Sequence, residues 1–242
     1  MRVLILGGTG EARALAAALH PAVQVISSLA GRVPDPALPV GQVRIGGFGG
    51  TAGLVRWLAE HPVDAVVDAT HPFAATITAH GARACAETGL PHLVLARPAW
   101  PRGGAIVVGS DAEAARTVTQ QGFSRVFLTT GRSGTAAFVG VDAWFLIRAV
   151  TAPEPATLPP DHRLLLSRGP YDYAGELALL RDYRIDALVT KNSGGAMTEA
   201  KIRAAEAADV PIVMVDRPPL PPGVETVAAV DEAVAWLAGL SA

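Results

Sequence analysis

Short apolar runs alternate with alanine-rich amphipathic runs along this chain. VLIL, VQVI, DAVVDA and HLVLA read as strands, with EARALAAAL, TAGLVRWLAE and ATITAHGARACAE as helices between them. That alternation predicts an α/β fold with a mainly parallel sheet. Within TAGLVRWLAE, Leu54, Val55 and Leu58 make one apolar stripe, and Thr51 stands where it can cap the helix N-terminus.

The second half repeats the plan of the first. VDAVVDATHPFAATITAHGARACAETGLPHLVLARP (63–98) aligns with IDALVTKNSGGAMTEAKIRAAEAADVPIVMVDRP (185–218). The segments after the two Arg-Pro pairs, from Arg97 and from Arg217, also align, and RVFLTTGRSG (125–134) echoes RVLILGGTG (2–10). The offset stays between 120 and 123 residues throughout. This predicts two homologous Rossmann-like domains, residues 1–98 and 99–242, with a substrate cleft between them. Each half closes with a strand-helix unit after its Arg-Pro. That unit, 99–121 in the first case, can pack on its own half or on the other. The Pro-rich run TAPEPATLPPD (151–161) reads as a surface crossing inside the second half.

Composition narrows the function classes. Half of the 242 residues are hydrophobic and 17% are charged, which suits well-packed domains. A single cysteine, Cys85, permits no internal disulfide and points to a reducing cytoplasm, with the thiol buried as a small hydrophobe. No apolar run is long enough to span a membrane, and no leader pattern opens the chain, so a soluble cytoplasmic protein is expected. A formal charge of -2 leaves no basic field for nucleic acid. The histidine spacings match no metal template, and no metal is expected. Of the 20 lysines and arginines only Lys191 and Lys201 are lysines, which suggests a need for a compact ammonium at Lys191.

Candidate chemistry gathers at strand ends, where open α/β sheets bind ligands. Gly7, Gly8, Thr9 and Gly10 lie between a strand and a helix and fit a pyrophosphate turn, although Arg13 stands where a third glycine is usual. At the end of the second strand an NAD site carries an acid; here Ser27, Ser28 and Arg32 offer a neutral and basic set suited to a 2′-phosphate, hence NADPH. The turns IGGFGGT (45–51, with Gly47 and Phe48) and DATHPFA (68–74, with Asp68, Thr70, His71 and Phe73) should wall the same crevice. In the second half Arg132, Arg168, Lys191, Asn192, Ser193, Gly194 and Gly195 offer cations and backbone donors for an anionic substrate.

GGTGEA, DATHPFA, SRGPYDYAGE and VTKNSGGAMTEAKIRAA followed by PIVMVDRP resemble the precorrin-6A reductases of cobalamin biosynthesis, from Met1 to the C-terminal helix. The resemblance implies a monomeric enzyme that uses NADPH to reduce one carbon-carbon double bond of precorrin-6A, giving precorrin-6B. It puts Gly8 to Glu11 and Thr70 to Ala74 on the nucleotide side and Lys191 to Gly195 on the tetrapyrrole side. Tyr171 stands where the family often has Phe. Lys191 and His71 are the candidate catalytic residues, with Tyr171, Tyr173 or water as other sources of the proton. A cobalt-bearing macrocycle and a non-catalytic NADPH sensor are the competing readings. Glu11 is expected to turn aside from a pyrophosphate, toward a ribose hydroxyl or the nicotinamide amide.

Overall fold

The computed structural model describes residues 1–31 and 38–240. Two compact units form, Met1–Pro98 with Pro218–Ala242, and Ala99–Arg217. The first unit holds β1 (Arg2–Leu6), α1 (Gly10–Leu19), β2 (Gln24–Leu29), β3 (Gln42–Ile45), α2 (Gly50–Glu60), β4 (Ala65–Asp68), α3 (Ala75–Thr88) and β5 (His92–Leu95). The second holds β6 (Ile106–Val108), α4 (Asp111–Gln121), β7 (Arg125–Leu128), β8 (Trp144–Ala149), β9 (His162–Leu166), α5 (Tyr173–Asp182), β10 (Ala187–Lys191), α6 (Ala200–Ala207) and β11 (Ile212–Val215). Two last elements, β12 (Glu225–Val227) and α7 (Val230–Gly239), return to the first unit.

Each unit contains a six-stranded sheet, ordered β12-β5-β4-β1-β2-β3 and β6-β11-β10-β7-β8-β9. Every strand pairing is parallel, as the continuous apolar strands require of sheets covered on both faces. In the first sheet Val3 and Ile5 pack with Leu15 and Leu237 on one face, while Leu4 and Leu6 pack with Leu54, Leu58 and Cys85 on the other. Cys85 is 1% exposed, and burial with the nearby Asp68 charge pushes its thiol up to about 12.

The contiguous division at 98/99 differs from the fold at one end. Residues 218–240 belong to the first unit, because β12 extends the first sheet beside β5 and β6 extends the second beside β11. Each strand-helix unit has thus joined the sheet of the other half. The reason is local: the two edges are equivalent by the repeat, and a three-residue edge strand carries too little pattern to prefer one. Arg97 and Arg217 each stand one residue before a proline at these crossings.

Thr51 is not a cap. Gly49, in a left-handed conformation, is the N-cap of α2, so the helix begins before Thr51. The run 151–161 links β8 to β9 within the second unit and is largely exposed, with Pro153 and Pro159 buried.

Candidate active site

All strands of each sheet run parallel, so the loops that follow them share one edge of their own unit. In the first unit, Leu6 leads into Gly7 and Gly8. Gly8 has φ +112°, which a side chain would resist, and a Cβ there would meet nothing within 4 Å, so the backbone lies open to a ligand. Thr9 is the N-cap of α1: its Oγ1 accepts from the Ala12 N–H at 3.0 Å and donates to the Ala69 carbonyl at 2.7 Å. The hydroxyl therefore ties the turn after β1 to the turn after β4, the pair flanking the point where strand order reverses. Gly10 and Glu11 are the first residues of the helix, where orphan N–H groups favour an anion.

Glu11 turns to Arg97, whose Nη1 lies 2.8 Å from Oε2. The side chain is thus turned aside through Oε2, toward Arg97. The pair also removes the objection to a carboxylate beside a pyrophosphate, because the guanidinium balances its charge.

Arg44 on β3 was not singled out from sequence. Its Cα is the register partner of Ser28 on β2. Nη1 donates to Ser28 Oγ at 3.2 Å and to the Gly46 carbonyl at 2.5 Å, and Nη2 donates to the Gly47 carbonyl at 2.8 Å. The guanidinium stacks 3.8 Å from the centroid of Phe48, which in turn packs on Trp57. Gly47 and Phe48 thus hold Arg44, and burial lowers its pKa. Ser27 points to the opposite face from Ser28; it is 2% exposed, and its Oγ has no hydrogen-bond partner among the described residues. Arg32 lies outside the described residues.

In the turn after β4, Asp68 Oδ1 accepts from the Thr70 N–H at 2.9 Å and from Thr70 Oγ1 at 2.6 Å. His71 is exposed, and its Nδ1 accepts from the Phe73 N–H at 3.3 Å, which leaves the proton of the neutral ring on Nε2. Pro72, Ala75, Thr78 and Ala79 line a hollow together with residues 218–221 of the returning segment.

The second unit builds its edge around residues 191–195. Lys191 ends β10, is largely buried, and pairs with Asp111 at the start of α4, Nζ to Oδ2 3.2 Å. Asn192 is 1% exposed, and its whole amide is engaged by Trp100: Oδ1 accepts from the backbone N–H at 2.9 Å and Nδ2 donates to the carbonyl at 3.2 Å. Its side chain thus ties the 191–195 loop to the scaffold at Trp100. Trp100 Nε1 also donates to the Gly195 carbonyl at 3.2 Å. Arg217 donates to the Asn192 carbonyl at 2.8 Å and to the Ser193 carbonyl at 3.0 Å. Gly194 and Gly195 have φ +66° and +81°, so the loop needs glycine at both places.

Arg132 follows β7 and Arg168 follows β9; both are exposed, and neither forms a salt bridge among the described residues. Tyr171 turns back on its own loop, donating from its hydroxyl to the Ser167 carbonyl at 2.9 Å, with its ring 3.7 Å beneath the Arg148 guanidinium. Tyr173 is exposed at the start of α5. Asp111, Trp100, Arg97 and Arg217 escaped sequence reasoning as site residues, although the paired Arg-Pro was a signal for the last two. Among the described residues no cluster of three His, Cys, Asp or Glu could hold a metal, and no helix is long and apolar enough to cross a membrane.

The precorrin-6x reductase family CbiJ/CobK matches residues 2–238. The chain belongs to that family. A precorrin-6A reductase of Mycobacterium tuberculosis is 66% identical over 239 residues, covering 99% of this chain and 98% of that one. A solved structure described as CobK precorrin-6A reductase superposes with a TM-score of 0.90 at 38% identity, covering 100% of this chain and 98% of that one. A cobalt-precorrin-6A reductase of Methanothermobacter thermautotrophicus is more distant, 32% identical over 90% of this chain and 77% of that one.

Proposed function

We propose that this family member catalyses the NADPH-dependent reduction of precorrin-6A to precorrin-6B, acting as a cytoplasmic monomer. The observation that carries the cofactor is Arg44 fixed against Ser28, a cation at the strand end where an NAD site would place a carboxylate. The open Gly8 backbone, the start of α1 and the Glu11–Arg97 pair fit a pyrophosphate. When bound, NADPH supplies the hydride, so the protein's own task is to bind, orient and protonate.

The residues of the first unit divide that task. Arg44 and Ser28 hold the 2′-phosphate, Gly8 and the first α1 amides hold the pyrophosphate, and the Thr70–Phe73 turn walls the nicotinamide. In the second unit Arg132 and Arg168, exposed guanidinium groups, and Lys191, an ammonium held by Asp111, bind the acetate and propionate carboxylates of the macrocycle. The proton that completes the reduction would come from the Lys191 ammonium or from His71 in its imidazolium form. The 66% identity to a precorrin-6A reductase, against 32% to a cobalt-precorrin-6A reductase, favours the metal-free macrocycle.

The test is oxidation of NADPH on addition of precorrin-6A. A sensor on the same scaffold would bind NADPH and leave it reduced.

A further inference from the structure

Lys201 has no part in the reading above, yet it is the least ordinary charge in the molecule. It lies on α6, 6% exposed, and forms no salt bridge among the described residues. The carboxylate whose charge acts on it, Glu176 on α5, is chelated through both oxygens by Arg148 on β8. Two buried cations therefore share one anion. Tyr171 and Phe127 lie against Arg148, at 3.7 and 4.9 Å from guanidinium carbon to ring centroid, and bring no further charge. The remaining cation of α6 near this region, Arg203, sits over the Tyr173 ring at 5.6 Å.

The Lys201 ammonium faces the ring of Trp100, with Nζ 5.2 Å from the centroid. Trp100 is in turn the clasp of the 191–195 loop, bonded to both ends of the Asn192 amide and to the Gly195 carbonyl. We propose that Lys201 is a positioning residue that, through the Trp100 ring, couples the protonation of one buried amine to the placement of the Lys191–Gly195 loop. A cation is drawn to the face of an indole and a neutral amine is not. The charged form thus holds Trp100 toward α6 with its Nε1 donating to Gly195, and loss of the proton releases it. Burial, then the Arg148 charge, lowers the Lys201 pKa, which Glu176 only partly offsets, to about 7, so the two forms exchange near neutrality. The substrate side of the inference rests on the function proposed above; the coupling itself does not.

Only two lysines occur in the chain, so lysine-selective NMR resolves them. The full chain, labelled at lysine Cε and at the indole nitrogens, is titrated without substrate. The resonance missing from Lys201→Met is expected to titrate near 7, and the indole signal missing from Trp100→Phe to move with the same midpoint. In Lys201→Met that indole signal no longer titrates. A Lys201 resonance in the ordinary lysine range, or a Trp100 signal that ignores it, overturns the proposal. In turnover, KM for precorrin-6A rises several-fold above this pH with kcat held, and Lys201→Arg, which keeps the charge, removes the rise. A KM that stays flat through the titration also overturns the positioning role. Absence of any turnover counts instead against the proposed function, and the NMR arm still decides the coupling.

Discussion

Arg44 Nη1 donates to Ser28 Oγ at 3.2 Å across two strands whose Cα atoms are in direct register. A charge-assisted bond to a phosphate contributes about 1.5–3 kcal/mol, or roughly a 10- to 100-fold change in binding. Arg44→Met is therefore expected to raise KM for NADPH by about that factor and to leave KM for NADH within about twofold, read by steady-state kinetics with each cofactor. An equal loss with both cofactors would place Arg44 in the fold alone.

The Glu11–Arg97 pair predicts a compensating cycle. Arg97→Met leaves a carboxylate beside the glycine turn that follows β1 with its Arg97 counter-charge gone, and NADPH binding is expected to weaken several-fold. Adding Glu11→Gln to that variant restores most of the loss, while Glu11→Gln alone leaves NADPH affinity unchanged or slightly improved. Isothermal titration of the four proteins measures the interaction directly. A tenfold loss in Glu11→Gln alone would restore Glu11 to direct ligand contact.

Lys191 and Asp111 should divide binding from placement. Lys191→Met is expected to raise KM for precorrin-6A by about tenfold or more, while KM for NADPH stays constant. Asp111→Asn keeps the lysine charge and loses only its partner, so its effect on KM is smaller and in the same direction. Wild-type turnover and substrate affinity in Lys191→Met would remove Lys191 from the site.

Buried charge also governs stability. Glu176→Gln leaves Arg148 and Lys201 without an anion in the interior and is expected to cost about 3–5 kcal/mol, seen in denaturant unfolding. The Lys201 pKa is lowered in the fold, so the unfolded chain binds more protons between about 7 and the model-peptide value of 10.5. Wild-type stability must then rise with pH across that window, with a slope approaching one proton, relative to Lys201→Met. A difference independent of pH would mean that Lys201 keeps its ordinary pKa.

Much of this was legible because the chain states its plan twice. The 120- to 123-residue offset identified both sheets, and the strand ends located both loop sets, since a parallel sheet leaves no other place for them. Register was not legible. Arg44 sits in a short, half-exposed edge strand, QVRI, and only its pairing with β2 brings it to Ser28. Asn192 belongs to a loop that offers a cation and backbone donors, and its side-chain tie to the scaffold is invisible in the sequence. Its partner Trp100 lies 92 residues away, and nothing local announces it. The exchange of β6 and β12 is illegible for the same reason: short equivalent edges are decided by the whole fold.

NADPH-dependent reduction of precorrin-6A is best followed through the absorbance of the nicotinamide and of the macrocycle together, under anaerobic conditions, with precorrin-6A and either NADPH or NADH. The expected result is loss of the reduced-nicotinamide band in step with the change in the macrocycle spectrum, rapid with NADPH and slow with NADH. Binding of NADPH that leaves both spectra unchanged would contradict it, as would equal rates with the two cofactors.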